Sequence, residues 1–318
     1  MAKKQELKTV AILMPGDMGH GCAIAFRENG LRVITTLEGR SKHTHDLAAK
    51  AGIEVLASLT DVIGEADLIL SILPPEYAVS QANTVAAAMK EANYFPSYAD
   101  CNAVSPETVK KVAQAFDGTR ANFIDAGIIG LNPIREQGKT RLYVSGGNRD
   151  LILQLDGRGV QLRDLGSEVG RASAMKMLYA SSTKGAFSLL AAVAIMAELT
   201  GLRDALFAEF TDSRPAAMET IDRMVPRIPL DAKRWIFEME EIASTYASFG
   251  MTPDFHKGAA AIMKLAAKTP LSAETRETAP DSYDLAAVLA TYVAALDQSK
   301  DWPSGKAHRH NGNDKAKR

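Results

Sequence analysis

The sequence predicts an α/β amino-terminal half built as a doubly wound parallel sheet, followed by an all-helical carboxyl-terminal half. Three observations carry this expectation. Val10 to Arg40 reads as an apolar strand, a glycine-containing turn, a helix and a second strand. Strand and helix signals then alternate to about residue 165, the pattern of a sheet covered on both faces. From Arg171 onward apolar residues recur at helical spacing almost throughout. At 318 residues the chain suffices for about two domains of ~150 residues each, and the expected division is 1–168, 169–300 and a disordered basic tail at 301–318.

Taken in order, Val10 to Leu13 is a short apolar run of the kind buried in parallel sheets. The turn Met14-Pro15-Gly16-Asp17-Met18-Gly19 launches a helix through Phe26 that Gly30 ends. A strand at Val33 to Thr36 precedes a helix from Lys42 to Ala51, a strand at Ile53 to Val55 and a helix near Leu59 to Ile63. The strand Leu68 to Leu73 leads to a helix from Tyr77 to Glu91. Strands follow at Ser97 to Asp100, Asn122 to Ala126 and Arg141 to Ser145, with a helix from Pro106 to Ala115 between the first two. Beyond them come a long Ala-rich segment, Ala172 to Leu199, and helices near Pro215 to Met224, Ala232 to Phe249, Asp254 to Ala267 and Tyr283 to Asp297.

Charge and composition narrow the function classes. A net charge of -1 implies no polyanionic partner, so nucleic acid is not expected. No apolar h-region follows the amino-terminal lysines, and the longest apolar stretch, Ala186 to Met196, is too short to span a bilayer, so no membrane partner and a cytoplasmic location are expected. Cys22 and Cys101 lack paired spacing and read as reduced thiols. His43 and His45, and His308 and His310, sit two apart in polar surroundings and are not expected to bind metal. Glu238, Glu240 and Glu241 beside Trp235 are expected on one mostly solvated helix face.

The first turn carries the clearest chemistry. Unpaired backbone N–H groups and the positive dipole end at a helix start favour a pyrophosphate, Gly16 leaves its approach open, and Gly19 lets helix and strand pack closely. Pro15 to Gly19 are therefore the candidate NAD or NADP cradle. Met14 stands where such turns use their first glycine. Cofactor preference rests on the end of the second strand, where Glu38 suits an NAD ribose while Arg40 and Ser41 suit a 2′-phosphate; the two signals conflict. Asn102, at the carboxyl edge of a strand, either faces the nicotinamide or substrate or forms an Asx-turn. His256, in Phe255-His256-Lys257-Gly258, is a candidate substrate contact, with a helix-start capping role as the alternative.

The motifs LSILPPE at Leu70 to Glu76, DCNAVSP at Asp100 to Pro106, FIDAGIIG at Phe123 to Gly130 and GRASAMKMLYA at Gly170 to Ala180 together resemble the β-hydroxyacid dehydrogenase and 6-phosphogluconate dehydrogenase superfamily. DCNAVSP, Thr183-Lys184-Gly185 and FHKGAA are similar to an uncharacterised branch with its own type of carboxyl-terminal domain. The resemblance implies a Rossmann domain, a helical domain, a homodimer interlocked by the long Ala-rich helix, and Lys176, six residues past Gly170, as the catalytic lysine. It further implies that Arg40 and Ser41 match the pair of NADP-using relatives, which tips the cofactor to NADP with NAD possible, and that Leu73 and Pro74 wall the cofactor.

A lysine fits alcohol oxidation or carbonyl reduction because a base must take, or an acid must give, the hydroxyl proton. Lys184, eight residues on, lies on a similar helical face and is either a second substrate contact or a solvated edge. Where relatives hold a substrate carboxylate with Ser-Gly-Gly, this chain has Ile129-Gly130-Leu131; where they have an asparagine four residues past the lysine, it has Ala180. The family's later Lys-Asp pair falls on Phe237-Glu238 when aligned through Gly250. Ile129 and Gly130 are thus expected beside a substrate less polar at that end. The expected activity is hydride transfer between an NAD(P) nicotinamide and a small alcohol or carbonyl compound, with an imine reductase-like enzyme and a non-catalytic NADP-binding protein as alternatives.

Overall fold

The computed structural model describes residues 5–135, 138–275 and 278–297. The expected basic tail, with His308 and His310, lies outside these residues. Eight strands form one sheet: β1 (Thr9–Leu13), β2 (Arg32–Thr35), β3 (Glu54–Val55), β4 (Leu68–Ser71), β5 (Ser97–Asp100), β6 (Phe123–Ile129), β7 (Arg141–Gly146) and β8 (Gln161–Asp164). Their spatial order is β3-β2-β1-β4-β5-β6-β7-β8. Every neighbouring pair is parallel except β6 and β7, which pair antiparallel from Ile124–Gly146 to Ile129–Arg141. The expected doubly wound parallel sheet is present, with this one antiparallel pair added to it. Among the described residues no helix lies between β6 and β7, and an antiparallel return needs none. Gly130, at φ 117°, begins the connection, where an added Cβ would stand 3.2 Å from Lys139 O. The short, partly exposed β8 was not expected from the sequence.

The helices are α1 (Asp17–Glu28), α2 (Lys42–Lys50), α3 (Leu59–Glu65), α4 (Ala78–Ala92), α5 (Pro106–Gln114), α6 (Arg171–Ala180), α7 (Ala186–Thr200), α8 (Arg203–Ser213), α9 (Pro215–Met224), α10 (Ile228–Ser248), α11 (Asp254–Ala266) and α12 (Leu285–Asp297). In β1 the alternation of a strand is visible in the burial: Val10 and Ile12 enter the core on one face with Phe26 and Cys22, while Ala11 and Leu13 enter the opposite core with Val85 and Met89. A strand buried on both faces must be apolar at every position, which is why Val10 to Leu13 shows no polar alternation. Tyr98, Phe116 and Phe123 pack against one another in the second core, with ring centroids 4.6 to 6.2 Å apart.

The described residues form two compact units, 5–183 with 237–257, and 184–236 with 258–297. The expected division after residue 168 differs from this because α6 is part of the first unit, its amino terminus tied to the middle of β6 through Asp125. In the second unit α7 packs with α9 and α12, and the buried Tyr292 hydroxyl donates to Val225 O at 3.2 Å. The Ala-rich segment is one helical run interrupted by a π turn at Ser181–Gly185. Measured over Arg171–Thr200 this run meets the length and composition of a bilayer span, as core helices also do, so it leaves the expectation drawn from Ala186 to Met196 standing. Its first half is anchored on the sheet. Cys22 and Cys101 are free, buried, and line one small apolar cavity with Phe26, Leu70 and Leu142.

Candidate active site

The first glycine of the turn is replaced by Met14, and the backbone there still takes the left-handed conformation a glycine would, φ 54°. Gly16 N donates to Met14 O at 2.7 Å, and the first intrahelical bond of α1 runs from His20 N to Gly16 O. The amides of Asp17, Met18 and Gly19 precede that bond, and no side chain caps them. Gly19 is a packing glycine, since a Cβ there would stand 3.2 Å from Ile12 Cγ2. Asp17 carries a carboxylate at this anion-favouring end, and Arg135 pairs with it at 3.2 Å. Asn132 donates from Nδ2 to Asp17 O at 2.5 Å, in space that only a glycine at position 21 leaves open. Neither Asn132 nor Gly21 was singled out in the sequence; an Asn-Pro step after a strand carries no local signal for a contact 115 residues away.

At the end of β2, Glu38 is exposed and Arg40 is half-buried. Arg40 reaches Gln81 with one terminal nitrogen at 3.4 Å, and among the described residues its buried Nε has no hydrogen-bond partner. The neighbouring Thr36 Oγ1 is likewise buried and unpartnered among them. Two such atoms, both within five residues of the end of β2, fit the ribose and phosphate of a nucleotide, because a buried polar group without a partner costs about 1–3 kcal/mol. The Ser41 hydroxyl caps α2 by accepting from Thr44 N.

Asn102 is 2% exposed and its amide is engaged within the protein. Its Oδ1 accepts from Leu73 N at 2.7 Å; its Nδ2 donates to Asp100 at 2.8 Å and to Ser71 Oγ at 3.3 Å. Both donors are spent, so the expectation that Asn102 faces the nicotinamide or substrate is corrected: it clasps the ends of β4 and β5 and fixes the half-buried Leu73 and Pro74. Its own backbone N–H closes an Asx-type bond to Asp100 Oδ1. Burial raises Asp100 from its ordinary 3.8 to about 7, with Asp125 adding to the rise and the Asn102 bonds opposing it.

Lys176 lies on α6, and its position is set from β6. The Asp125 carboxylate accepts from Gly170 N, Ala172 N, Ser173 N, Ser173 Oγ and Ser145 Oγ at 2.7 to 3.2 Å. A strand residue thus caps α6, whose own N-cap, Gly170, has no side chain and sits at φ 105°. Gly127 brings strand and helix together, since a Cβ there would meet Ala172 O at 2.9 Å and Lys176 Cβ at 3.1 Å. Lys176 Nζ then donates to Ile128 O at the carboxyl end of β6.

The remaining expected residues divide. Gly130 is exposed at the end of β6, but Ile129 is 1% exposed inside the sheet and presents no surface to a substrate, which corrects its assignment. Lys184 Nζ lies 5.6 Å from the Trp235 ring centroid, and the π turn that contains it breaks the 3.6-residue spacing that gave it the face of Lys176. His256 is buried against Ser181 and Tyr246, neither of which was anticipated. Glu238 is 2% exposed and Glu241 accepts from Ser105 N at 2.6 Å, so only Glu240 of the three glutamates is on the solvated face expected for all. Among the described residues no His, Cys, Asp and Glu group is arranged to hold a metal ion.

Comparison with known proteins bears on the family and the fold. Residues 9–154 match the NAD binding domain of 6-phosphogluconate dehydrogenase, and residues 197–266 match a domain of unknown function, DUF1932. An uncharacterised 28.5 kDa protein of Methanothermus fervidus is 32% identical over 181 residues, 57% of this chain and 68% of that protein. The solved structure of MTH1747, a conserved protein of unknown function described as similar to 3-hydroxyacid dehydrogenases, aligns with TM-score 0.61 at 26% identity over 81% of this chain and 96% of that one. A reductive aminase from Aspergillus terreus in complex with a reduced NADP form, cyclohexanone and allyl amine aligns with TM-score 0.51 at 15% identity, over 91% of this chain and 100% of the other; the likeness is one of fold.

Proposed function

We propose, from the premise that this chain belongs to the β-hydroxyacid dehydrogenase and 6-phosphogluconate dehydrogenase superfamily in a branch with its own carboxyl-terminal domain, that it is an NADP-dependent oxidoreductase acting on a small alcohol or carbonyl compound. The single observation that carries the reading is Lys176, held on Ile128 O at the carboxyl end of β6, the edge of an α/β sheet where ligands bind. The amides of Asp17 to Gly19 take the pyrophosphate, and Arg40 with Thr36 takes the 2′-phosphate end, leaving Glu38 in solvent. Leu73 and Pro74 form the apolar wall beyond. The nicotinamide, when bound, supplies the hydride chemistry. Lys176 gives the substrate oxygen its proton in reduction and removes it in oxidation.

A second reading, imine reduction, is supported by Ala180, which offers no hydrogen-bonding group one helical turn past Lys176, and by the fold shared with a reductive aminase. We also propose a homodimer, because Leu189, Met196, Leu199 and Leu202 are large apolar residues left exposed on and just after α7. The experiment that tests the function is twofold. Thermal shifts with NADPH and NADH are compared, since binding to the folded state alone raises the melting temperature with affinity. NADPH oxidation is then followed with aldehydes, ketones and cyclic imines. Turnover that collapses in Lys176→Ala with the NADPH shift intact supports the reading; undiminished turnover in that variant removes Lys176 from it.

A further inference from the structure

Three side chains from separate parts of the sequence meet at the carboxyl edge of the sheet. The Ser181 hydroxyl, at the first residue of the π turn, lies 2.9 Å from the Tyr246 hydroxyl and 3.2 Å from His256 Nε2. The rings of Tyr246 and His256 stack obliquely, centroids 4.6 Å apart. His256 is 6% exposed, and among the described residues its buried Nδ1 has no partner.

That orphaned nitrogen sets the polarity of the array. Burial lowers the imidazole below its ordinary 6.5, which keeps it neutral, so one ring nitrogen carries a proton and the other a lone pair. A proton on Nδ1 would be a buried donor with no acceptor, whereas a bare lone pair at Nδ1 is the lesser cost. Nε2–H therefore donates to Ser181, which leaves the single Ser181 proton free for Tyr246; with the opposite tautomer Ser181 would spend that proton on Nε2 and Tyr246 would have to donate inward. The Tyr246 O–H is left for a third group, and Tyr246 is only half-buried.

Position tells what that group is. α6 runs in the direction of β6, with its start on Asp125, Lys176 on Ile128, and Ser181 about 7.5 Å further along the axis. Glu241, five residues before Tyr246 on α10, binds Ser105 N just after Asn102. Tyr246 therefore stands beyond the carboxyl ends of β5 and β6, on the side where Lys176 ends. Ala180 supplies nothing polar there.

We infer that Tyr246, aimed by Ser181 and His256, is the hydrogen-bond donor to the oxygen of a carbonyl substrate, and that the site therefore takes aldehydes or ketones in preference to iminium compounds. The inference rests on the oxidoreductase reading. A carbonyl oxygen accepts such a donor and gains most from it as negative charge builds there; an iminium nitrogen has no lone pair to accept it. No proton leaves the array: the oxygen takes its proton from Lys176, and Tyr246 keeps its own.

The test uses the full chain. Nitrogen-15 NMR of the histidines, with His256 assigned by its loss in His256→Gln, is expected to show the neutral Nε2–H tautomer with a bare Nδ1; an Nδ1–H tautomer overturns the inference, because the hydroxyls would then point inward. In NADPH-dependent reduction of the aldehyde and ketone panel, Tyr246→Phe is expected to lower kcat about ten- to hundredfold with the KM for NADPH and the NADPH thermal shift unchanged. Ser181→Ala should lower kcat in the same way and Ser181→Thr restore it. Wild-type kcat in Tyr246→Phe, or cyclic imines turned over faster than every carbonyl, overturns the inference while the oxidoreductase reading stands. No NADPH shift and no turnover of any compound overturns that reading itself.

Discussion

The carboxylate of Asp125, in the middle of β6, accepts the backbone N–H of Ala172 at 3.0 Å, so a strand holds the helix that bears Lys176 by its first turn. The same carboxylate is bonded by Gly170, Ser173 and Ser145, in full burial. Replacing it by alanine leaves those donors without an acceptor and the helix without a cap. Asp125→Ala should cost about 3–5 kcal/mol, and Asp125→Asn less, since the amide oxygen still accepts. Denaturant unfolding measures both. A loss below about 1 kcal/mol in the alanine variant would mean the cap carries no weight.

Gly127 is the second contact between this strand and this helix. A methyl group there would press on Ala172 O at 2.9 Å, a backbone atom that cannot turn aside. Gly127→Ala should cost roughly 1–3 kcal/mol by forcing α6 off the sheet, and it should carry Lys176 away from Ile128. The expected signature is a fall in kcat far larger than any change in NADPH affinity, because the pyrophosphate site on α1 is not touched.

How much of this was legible in the sequence follows from the range of the interactions. Gly16 and Gly19 declare themselves locally, since strand, turn and helix are contiguous there. Lys176 was placed by its distance from Gly170 within a motif. Asp125 and Gly127 were visible only as letters of FIDAGIIG, because the donors they serve are about 45 residues further on. The fates of Ile129 and Asn102 were misjudged for a related reason. A residue at a strand's carboxyl end can face ligand or core, and which it does depends on register with neighbours that the chain does not place nearby. The strand β7 was expected at Arg141 to Ser145, but its antiparallel direction was not, because direction leaves no mark in a strand's own pattern, only in the connection before it. His256 was singled out, but the Ser181 and Tyr246 that orient it lie on other helices.

Cofactor preference should turn on Arg40. Among the described residues the Nε of its half-buried guanidinium has no hydrogen-bond partner, whereas Glu38 is exposed. Arg40→Ala is expected to weaken NADPH binding about tenfold or more and to leave NADH binding within a factor of two or so, since NADH has no phosphate to lose. Titration of both coenzymes by fluorescence checks this. Equal losses for the two would place Arg40 in the shared part of the nucleotide site or in the fold.

The subunit count is expected to be two. Leu189 is 66% exposed on α7, with Met196, Leu199 and Leu202 further along, and a single charged substitution at the centre of a self-complementary apolar face is repeated by symmetry. Leu189→Glu should convert the dimer to monomer by light scattering after size exclusion, with a lower melting temperature. Wild-type protein that elutes as a monomer, or partitions into vesicles, would assign that face to another use.

Asp100 makes stability depend on pH in a direction opposite to most carboxylates. In the folded chain burial raises it to about 7 from an ordinary 3.8, so the folded state holds a proton that the unfolded state has released. Its contribution is therefore full below about pH 4 and is lost as pH rises through 7, amounting to roughly 4 kcal/mol across that window. Asp100→Asn removes the titration while keeping an oxygen for Asn102. The variant is less stable than wild type at about pH 5, because its amide hydrogens face the amide of Asn102, and the deficit narrows towards pH 8. Chemical unfolding of both proteins across that range decides the matter: curves that stay parallel would show that Asp100 is already ionised in the folded protein, its charge absorbed by the N–H groups of Asn102.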